Sequence, residues 1–251
     1  MGRLAGKRAL ITGAGGLLGC DLARGFAAEG ADLILTTRTV AKLEPLATEI
    51  RALGRRCAAV AADFTKDEDC DRLADAAWEA FGGIDIVLFS SQPTEPNLGD
   101  LLSTAERDWR AQQTSIAWGP LRIMRRLAPK MIAAGGGGSI ITLTSSTGDE
   151  PVPGYGAYGI AKATLWAVTL YMAAEWGKFG IRANGLQPGS IATGNNADEL
   201  EALLRKNGAL KNTALGRMGR NHECLGAAIY LASDESSFTS GQRLKVNGGR
   251  L

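Results

Sequence analysis

Residues 8–29 read RALITGAGGLLGCDLARGFAAE: an apolar run, a turn rich in glycine, and an amphipathic stretch. A strand, a glycine turn and a helix in that order point the N–H groups of the first helical turn, and the positive end of the helix, at the carboxyl end of the strand. Gly13, Gly16 and Gly19, with Leu17 and Leu18 among them, make a candidate pyrophosphate cradle, because glycine lets the backbone approach the anion closely. This unit predicts an α/β chain that binds a dinucleotide.

The same alternation continues outward. Apolar runs at 32–37 (DLILTT), 57–62 (CAAVAA), 85–90 (DIVLFS), 139–145 (SIITLTS), 182–187 (RANGLQ) and 243–246 (RLKV) read as further strands, separated by helical patterns. The first five strands are nearly continuously hydrophobic, as parallel strands covered on both faces are. Thr65-x-x-Glu68 and Ser103-x-x-Glu106 read as capping boxes at two helix starts. The expected fold is α/β: a doubly wound, Rossmann-like parallel sheet of about seven strands flanked by helices, in one domain over 1–251.

Composition narrows the function classes. A 45% hydrophobic and 22% charged chain of 251 residues has ample core, and a net charge of +2 argues against nucleic acid or an anionic membrane as partner. The single histidine, His222, leaves no material for a His-based triad or a multi-His metal site, so no metal is expected. Cys20, Cys57, Cys70 and Cys224 show no CxxC or zinc spacing, the start MGRLAGKRALITG has no signal-like apolar run, and no apolar run spans a membrane. Reduced thiols in the cytoplasm are the expectation.

The end of the second strand reads Thr36-Thr37-Arg38. A carboxylate there would bind the ribose 2′-hydroxyl of NAD, whereas an arginine suits the 2′-phosphate of NADP. Asp32 stands at the other end of the strand, so NADP(H) is expected over NAD(H).

Tyr158 and Lys162 lie at i and i+4, on one face of a helix. Such a pair arises by chance often enough to decide nothing alone. Its company decides: Ser145 closes a strand at the sheet's carboxyl edge, and Pro188-Gly189 and Thr193 follow another. A phenol ordinarily titrating near pH 10 is a poor base, and a neighbouring ammonium together with a positive nicotinamide ring favours its phenolate.

In these motifs the chain resembles the short-chain dehydrogenase/reductase family, in its roughly 250-residue oxidoreductase branch, from about Lys7 to Gly249. The matching elements are the TG opening of the glycine loop, Asp63 in ADFT, Ser145, Tyr158-x-x-x-Lys162, Asn184 with Pro188-Gly189, and the closing GQRLKVNGG. The resemblance implies ketone and secondary-alcohol interconversion by hydride transfer, with Ser145, Tyr158 and Lys162 catalytic and Tyr158 as general acid/base. It places the cofactor on Gly13, Gly16, Leu17, Leu18, Gly19, Arg38, Asp63, Phe64, Ser90, Ser91, Tyr158, Lys162, Pro188, Gly189, Ile191 and Thr193. It further implies a substrate lid over about 190–217 and a homo-oligomer, dimer or tetramer. The helix carrying Tyr158 agrees, being apolar on more than one face through Leu165, Trp166, Val168, Leu170 and Met172.

Three departures stand out. Leu17 occupies the middle glycine of the family's TGxxxGxG loop, the fourth strand ends Phe89-Ser90-Ser91-Gln92 where NNAG is usual, and the catalytic Asn position falls on Ile116. In the family that Asn holds a water linking the lysine to solvent, so the relay here needs another route, Ser115 or a differently placed water. Two readings follow: a working carbonyl reductase, such as a 3-oxoacyl thioester reductase, with sugar, polyol or steroid-like substrates also open; and a cofactor-binding, weakly active protein with a scaffold or sensor role.

Overall fold

Each apolar run becomes a strand in the computed structural model, which describes residues 2–91, 99–192, 194, 197–208 and 210–250. The strands are β1 (Arg8–Thr12), β2 (Asp32–Thr37), β3 (Cys57–Ala61), β4 (Ile86–Phe89), β5 (Gly138–Leu143), β6 (Ile181–Pro188), β7 (Ile191–Ala192), β8 (Gly219–Arg220) and β9 (Arg243–Val246). Seven form one parallel sheet in the order β3-β2-β1-β4-β5-β6-β9. The two-residue β7 and β8 make a separate parallel pair that the sequence did not announce.

The helices are α1 (Leu17–Ala28), α2 (Glu44–Ala52), α3 (Asp67–Phe81), α4 (Glu106–Gln113), α5 (Gly119–Ala134), α6 (Gly156–Trp176), α7 (Ala197–Lys206) and α8 (Asn221–Ala232). Successive strand residues face opposite layers. Ile11, Leu35 and Leu88 pack with Leu22 and Phe26 of α1 and Ala228 of α8, while Leu10, Ile34 and Val87 pack with Leu73 of α3 and Ile123 of α5. This is the doubly wound, single-domain fold the pattern predicts. Among the described residues no helix is long and apolar enough to cross a membrane.

The strand order reverses between β1 and β4, and ligands of open α/β sheets bind at the carboxyl ends flanking such a point. The exits of β1, at Gly13, and of β4, at Ser90, meet there. The opposite edge is tied by salt bridges: Arg8 grips Asp85 with two 2.8 Å bonds from its guanidinium, and Asp32 is engaged by Arg56 at 2.7 Å. Burial opposes the charge of Asp85, yet the Arg8 hydrogen bonds outweigh it and hold that carboxyl below its ordinary range.

Neither expected capping box forms. The Thr65 hydroxyl donates to Asp63 Oδ1 at 2.8 Å, and α3 starts only at Asp67, with Asp67, Glu68 and Asp69 meeting the positive helix end. The Ser103 hydroxyl donates to Asp100 O at 3.2 Å, its N–H donates to Asp100 Oδ1 at 2.8 Å, and α4 starts at Glu106. In both cases a nearby aspartate forms a local turn that takes the hydroxyl residue away from the helix.

Candidate active site

The glycine turn closes on itself because two positions carry no side chain. Gly13 has φ +66°, and a Cβ there would lie 2.8 Å from the Ser90 carbonyl carbon; one on Gly19 would lie 2.3 Å from Gly13 O. Gly16 donates its N–H to Gly13 O at 2.9 Å. Beyond it α1 begins with no side-chain cap and no acidic residue in its first turn, so the positive helix end faces outward uncompensated. Such a cradle fits a pyrophosphate. Leu17, in the family's middle glycine position, is 55% exposed at the mouth, and Leu18 packs on the core.

The other expected cofactor residues follow the carboxyl ends of the sheet's strands. Thr12 Oγ1 accepts the N–H groups of Ser90 at 3.1 Å and Ser91 at 3.3 Å, so the exit of β4 is braced to the exit of β1 without the usual NNAG. Arg38 follows β2 directly, is exposed, and makes no ion pair among the described residues. Asp63 follows β3, its Oδ1 accepting from both the N–H and the hydroxyl of Thr65. The Phe64 ring is buried against Gly119, which leaves its backbone for any ligand. Pro188 ends β6, Gly189 donates to Val246 O at 2.9 Å, and Ile191 opens β7. Gln92 and Thr193 lie outside the described residues.

Ser145, Tyr158 and Lys162 come together at the exit of β5. Ser145 caps the short turn Ser146–Gly148, and its hydroxyl acts on the Tyr158 phenol, pulling its pKa down. Lys162 is 4% exposed, its Nζ donating to Leu143 O at 2.6 Å and standing 5.6 Å from the Tyr158 ring centroid. Burial pulls the ammonium down to about 8. The expectation that Lys162 lowers the phenol does not hold here: burial pushes Tyr158 above its ordinary value, and the opposing pull comes from Ser145. With its ammonium held by Leu143 O, Lys162 does not offset the desolvation.

A family model described as enoyl-(acyl carrier protein) reductase matches residues 13–250. An uncharacterised oxidoreductase of Mycobacterium tuberculosis (strain CDC 1551 / Oshkosh) is 39% identical over 99% of this chain and 94% of its own. The chain belongs to the short-chain dehydrogenase/reductase family. It is an enzyme of the class that acts on CH–OH groups with a nicotinamide cofactor. Among solved structures, a gluconate 5-dehydrogenase from Burkholderia cenocepacia J2315 in complex with NADP and tartrate is 33% identical, with a TM-score of 0.89 over 98% of this chain and 96% of that one. A 7α-hydroxysteroid dehydrogenase complexed with NADH and 7-oxo glycochenodeoxycholic acid is 29% identical, with a TM-score of 0.90 over 99% and 96%.

This short-chain dehydrogenase departs from its family most at Ile116. Residues Thr114–Trp118 form a π-helical turn between α4 and α5, and Ile116, 1% exposed, packs with Ala161 and Leu165 against Tyr158. Pro120 explains the turn, since it has no N–H for the carbonyl of residue 116 and the α-helical ladder breaks there. The Ser115 hydroxyl donates to Ala111 O at 2.5 Å, so it is engaged within the helix and not offered to Lys162.

Sequence reasoning missed the walls of the turn after Ser145. A Cβ on Gly159 would lie 2.6 Å from Thr147 O, and one on Gly148 would lie 2.9 Å from Ala163 N, so the turn after Ser145 rests directly on α6. Asp149 then pairs with Arg243, which stacks 4.6 Å over Trp166. The available signal was the hydroxyl run Thr144-Ser145-Ser146-Thr147 with a glycine next to Tyr158.

Proposed function

We propose that this enzyme interconverts a ketone and a secondary alcohol of modest size, with Tyr158 as general acid/base and NADP(H) favoured over NAD(H). The observation that carries the reading is the convergence of a part-buried Tyr158 phenol, packed on Ile116, Ala161 and Leu165, with Lys162 5.6 Å from its ring and Ser145 at the same strand exit. In reduction it gives its proton to the carbonyl oxygen, and in oxidation it takes one from the alcohol. Ser145 donates a hydrogen bond to the same oxygen. Lys162 holds the nicotinamide ribose hydroxyls. The bound nicotinamide supplies or accepts the hydride.

Gly13, Gly16, Gly19 and the N–H groups of Leu17 and Leu18 cradle the pyrophosphate, Ser90 and Ser91 border it, Asp63 and the Phe64 backbone meet the adenine, and Pro188, Gly189 and Ile191 flank the nicotinamide. Arg38 meets the 2′-phosphate. A hydrogen bond to a charged group contributes about 1.5–3 kcal/mol, so Arg38→Ala is expected to lower kcat/KM with NADPH by about 10- to 100-fold and leave NADH nearly unchanged. Equal losses with both cofactors would remove the preference.

The segment 190–217 serves as the substrate lid: Leu200 and Leu204 of α7 rest on Ala192, Leu210 and Met218, and Arg220 pairs with Asp198 at 2.7 Å. The substrate is a carbonyl compound such as a 3-oxoacyl thioester, with the hydroxy acids and steroids of the related enzymes as the other classes to assay. Turnover of NADPH against a carbonyl panel, and of NADP against the matching alcohols, tests the reading, which also places the enzyme in the cytoplasm. Ile116 supports a second reading, a cofactor-binding protein of weak activity with a scaffold or sensor role; tight NADPH binding without turnover across the panel would favour it.

Of the residues expected to make α6 apolar on a second face, Leu165 and Met172 are buried in this chain's own core and Val168 packs on it; the outward face carries Ile160, Ala163, Thr164, Ala167 and Tyr171 instead, with Tyr171 68% exposed. An apolar stripe of this kind is covered by a second copy in the proposed homo-oligomer. Sedimentation at micromolar concentration is expected to give a dimer or tetramer, and Tyr171→Asp a smaller species. A wild-type monomer would contradict this.

A further inference from the structure

Ser145 has one hydroxyl proton, and the proposed chemistry requires that proton to point at the substrate oxygen. What fixes its direction is a second hydroxyl. Thr147 Oγ1 stands 2.9 Å from Ser145 Oγ, and the Thr147 N–H reaches the same oxygen at 3.3 Å. Ser145 is also the hydroxyl that pulls the Tyr158 phenol down, and Tyr158 and Lys162 stand beside the same strand exit, so Ser145 is the group that Thr147 and Tyr158 have in common.

The placement is rigid. The Thr147 carbonyl sits where a Cβ on Gly159 would be 2.6 Å away, so the residue after Tyr158 sets the height of Thr147 above α6. The alternatives nearby are closed: Ile116 is apolar, the Ser115 hydroxyl is engaged by Ala111 O, and Lys162 is engaged by Leu143 O. A donor on the far side of a hydroxyl polarises it and strengthens the hydrogen bond it makes in turn.

We propose that Thr147 is a positioning residue for carbonyl reduction: its hydroxyl donates to Ser145 Oγ and thereby directs the Ser145 proton to the oxygen shared with Tyr158. This rests on the roles given above to Ser145 and Tyr158. Thr147→Val keeps the shape and removes the hydroxyl, and Thr147→Ser restores it.

The test compares wild type, Thr147→Val, Thr147→Ala and Thr147→Ser, with Ser145→Ala and Tyr158→Phe as references, on one ketone and alcohol pair from the panel. Thr147→Val is expected to lower kcat about fivefold, the worth of one neutral hydrogen bond, with NADPH affinity unchanged. Its pH profile for alcohol oxidation should move to higher pH, because the phenolate loses part of the support of Ser145, and Thr147→Ser should return both to wild type. If the Val variant loses NADPH affinity through a disturbed turn, Thr147→Ala supplies the same deletion. Loss of NADPH affinity in step with turnover in both would overturn the proposal, as would wild-type kcat and pH profile in Thr147→Val while Ser145→Ala and Tyr158→Phe are inactive. Retained turnover in Tyr158→Phe would instead overturn the catalytic reading itself.

Discussion

Tyr158→Phe is expected to lower turnover by ~10²–10⁴-fold, the range over which a positioned proton donor acts, while NADPH binds as before. The expectation follows from the packing of the part-buried phenol: Ile116, Ala161 and Leu165, which lie against it, have no proton to give in its place. Replacing the hydroxyl by hydrogen keeps the ring and its edge-on contact with Tyr155, whose centroid is 6.4 Å away, so the fold should hold. The wild-type pH dependence checks the same arrangement. Burial lowers Lys162 to about 8, so its ammonium is present below that pH and lost above it, whereas Tyr158 stays protonated throughout. Reduction should therefore be flat through neutral pH and fall above about pH 8, and a rate that rises through pH 8–9 would contradict these assignments.

Gly19→Val is the second large effect. A Cβ at this position meets Gly13 O at 2.3 Å and Ser90 Oγ at 2.9 Å, and both belong to the braced exits of β1 and β4. Ser90 Oγ can rotate away, but the Gly13 carbonyl cannot retreat without opening the glycine turn. NADPH affinity is expected to fall by at least ~10²-fold, comparable with losing two hydrogen bonds to a charged group, and thermal stability should fall with it. Gly226→Ala is the matched control. Gly226 lies inside α8 with nothing within 4 Å of an added Cβ, so alanine there should stabilise by roughly 0.5–1 kcal/mol and leave NADPH binding untouched. Thermal melts and NADPH titration of the two variants check both; a Gly19→Val protein that binds NADPH normally would show that the turn is not the cradle.

Much of this architecture was legible in the residues because the physics that fixes it is local. Strands buried on both faces are apolar at nearly every position, so RALIT and DLILTT announce a parallel sheet without their neighbours. Gly13 is demanded by a positive φ, and the placement of Asp32 away from the carboxyl edge is confirmed by its pairing with Arg56. The illegible parts depend on chain segments far apart in sequence. The Thr65 and Ser103 boxes failed because neighbouring aspartates form turns with those residues, a competition that spacing alone does not rank. The π-helical turn at Thr114–Trp118 had its signal in Pro120, yet its consequence, an apolar Ile116 against Tyr158, appears only when α4 and α6 are packed. The upward shift of Tyr158 is likewise a tertiary fact, since the i, i+4 spacing reports a neighbouring lysine but not that Leu143 O holds its ammonium.

The most direct test of the central claim follows the transferred hydrogen. NADPH carrying deuterium at the reactive ring carbon is incubated with the wild-type enzyme and a ketone from the panel, and the alcohol formed is analysed by mass spectrometry and NMR. The account predicts deuterium on the former carbonyl carbon with wild type, formed at least ~10²-fold more slowly by Tyr158→Phe at equal NADPH occupancy. Binding of NADPH with no deuterium passed to any carbonyl by the wild-type protein would contradict it.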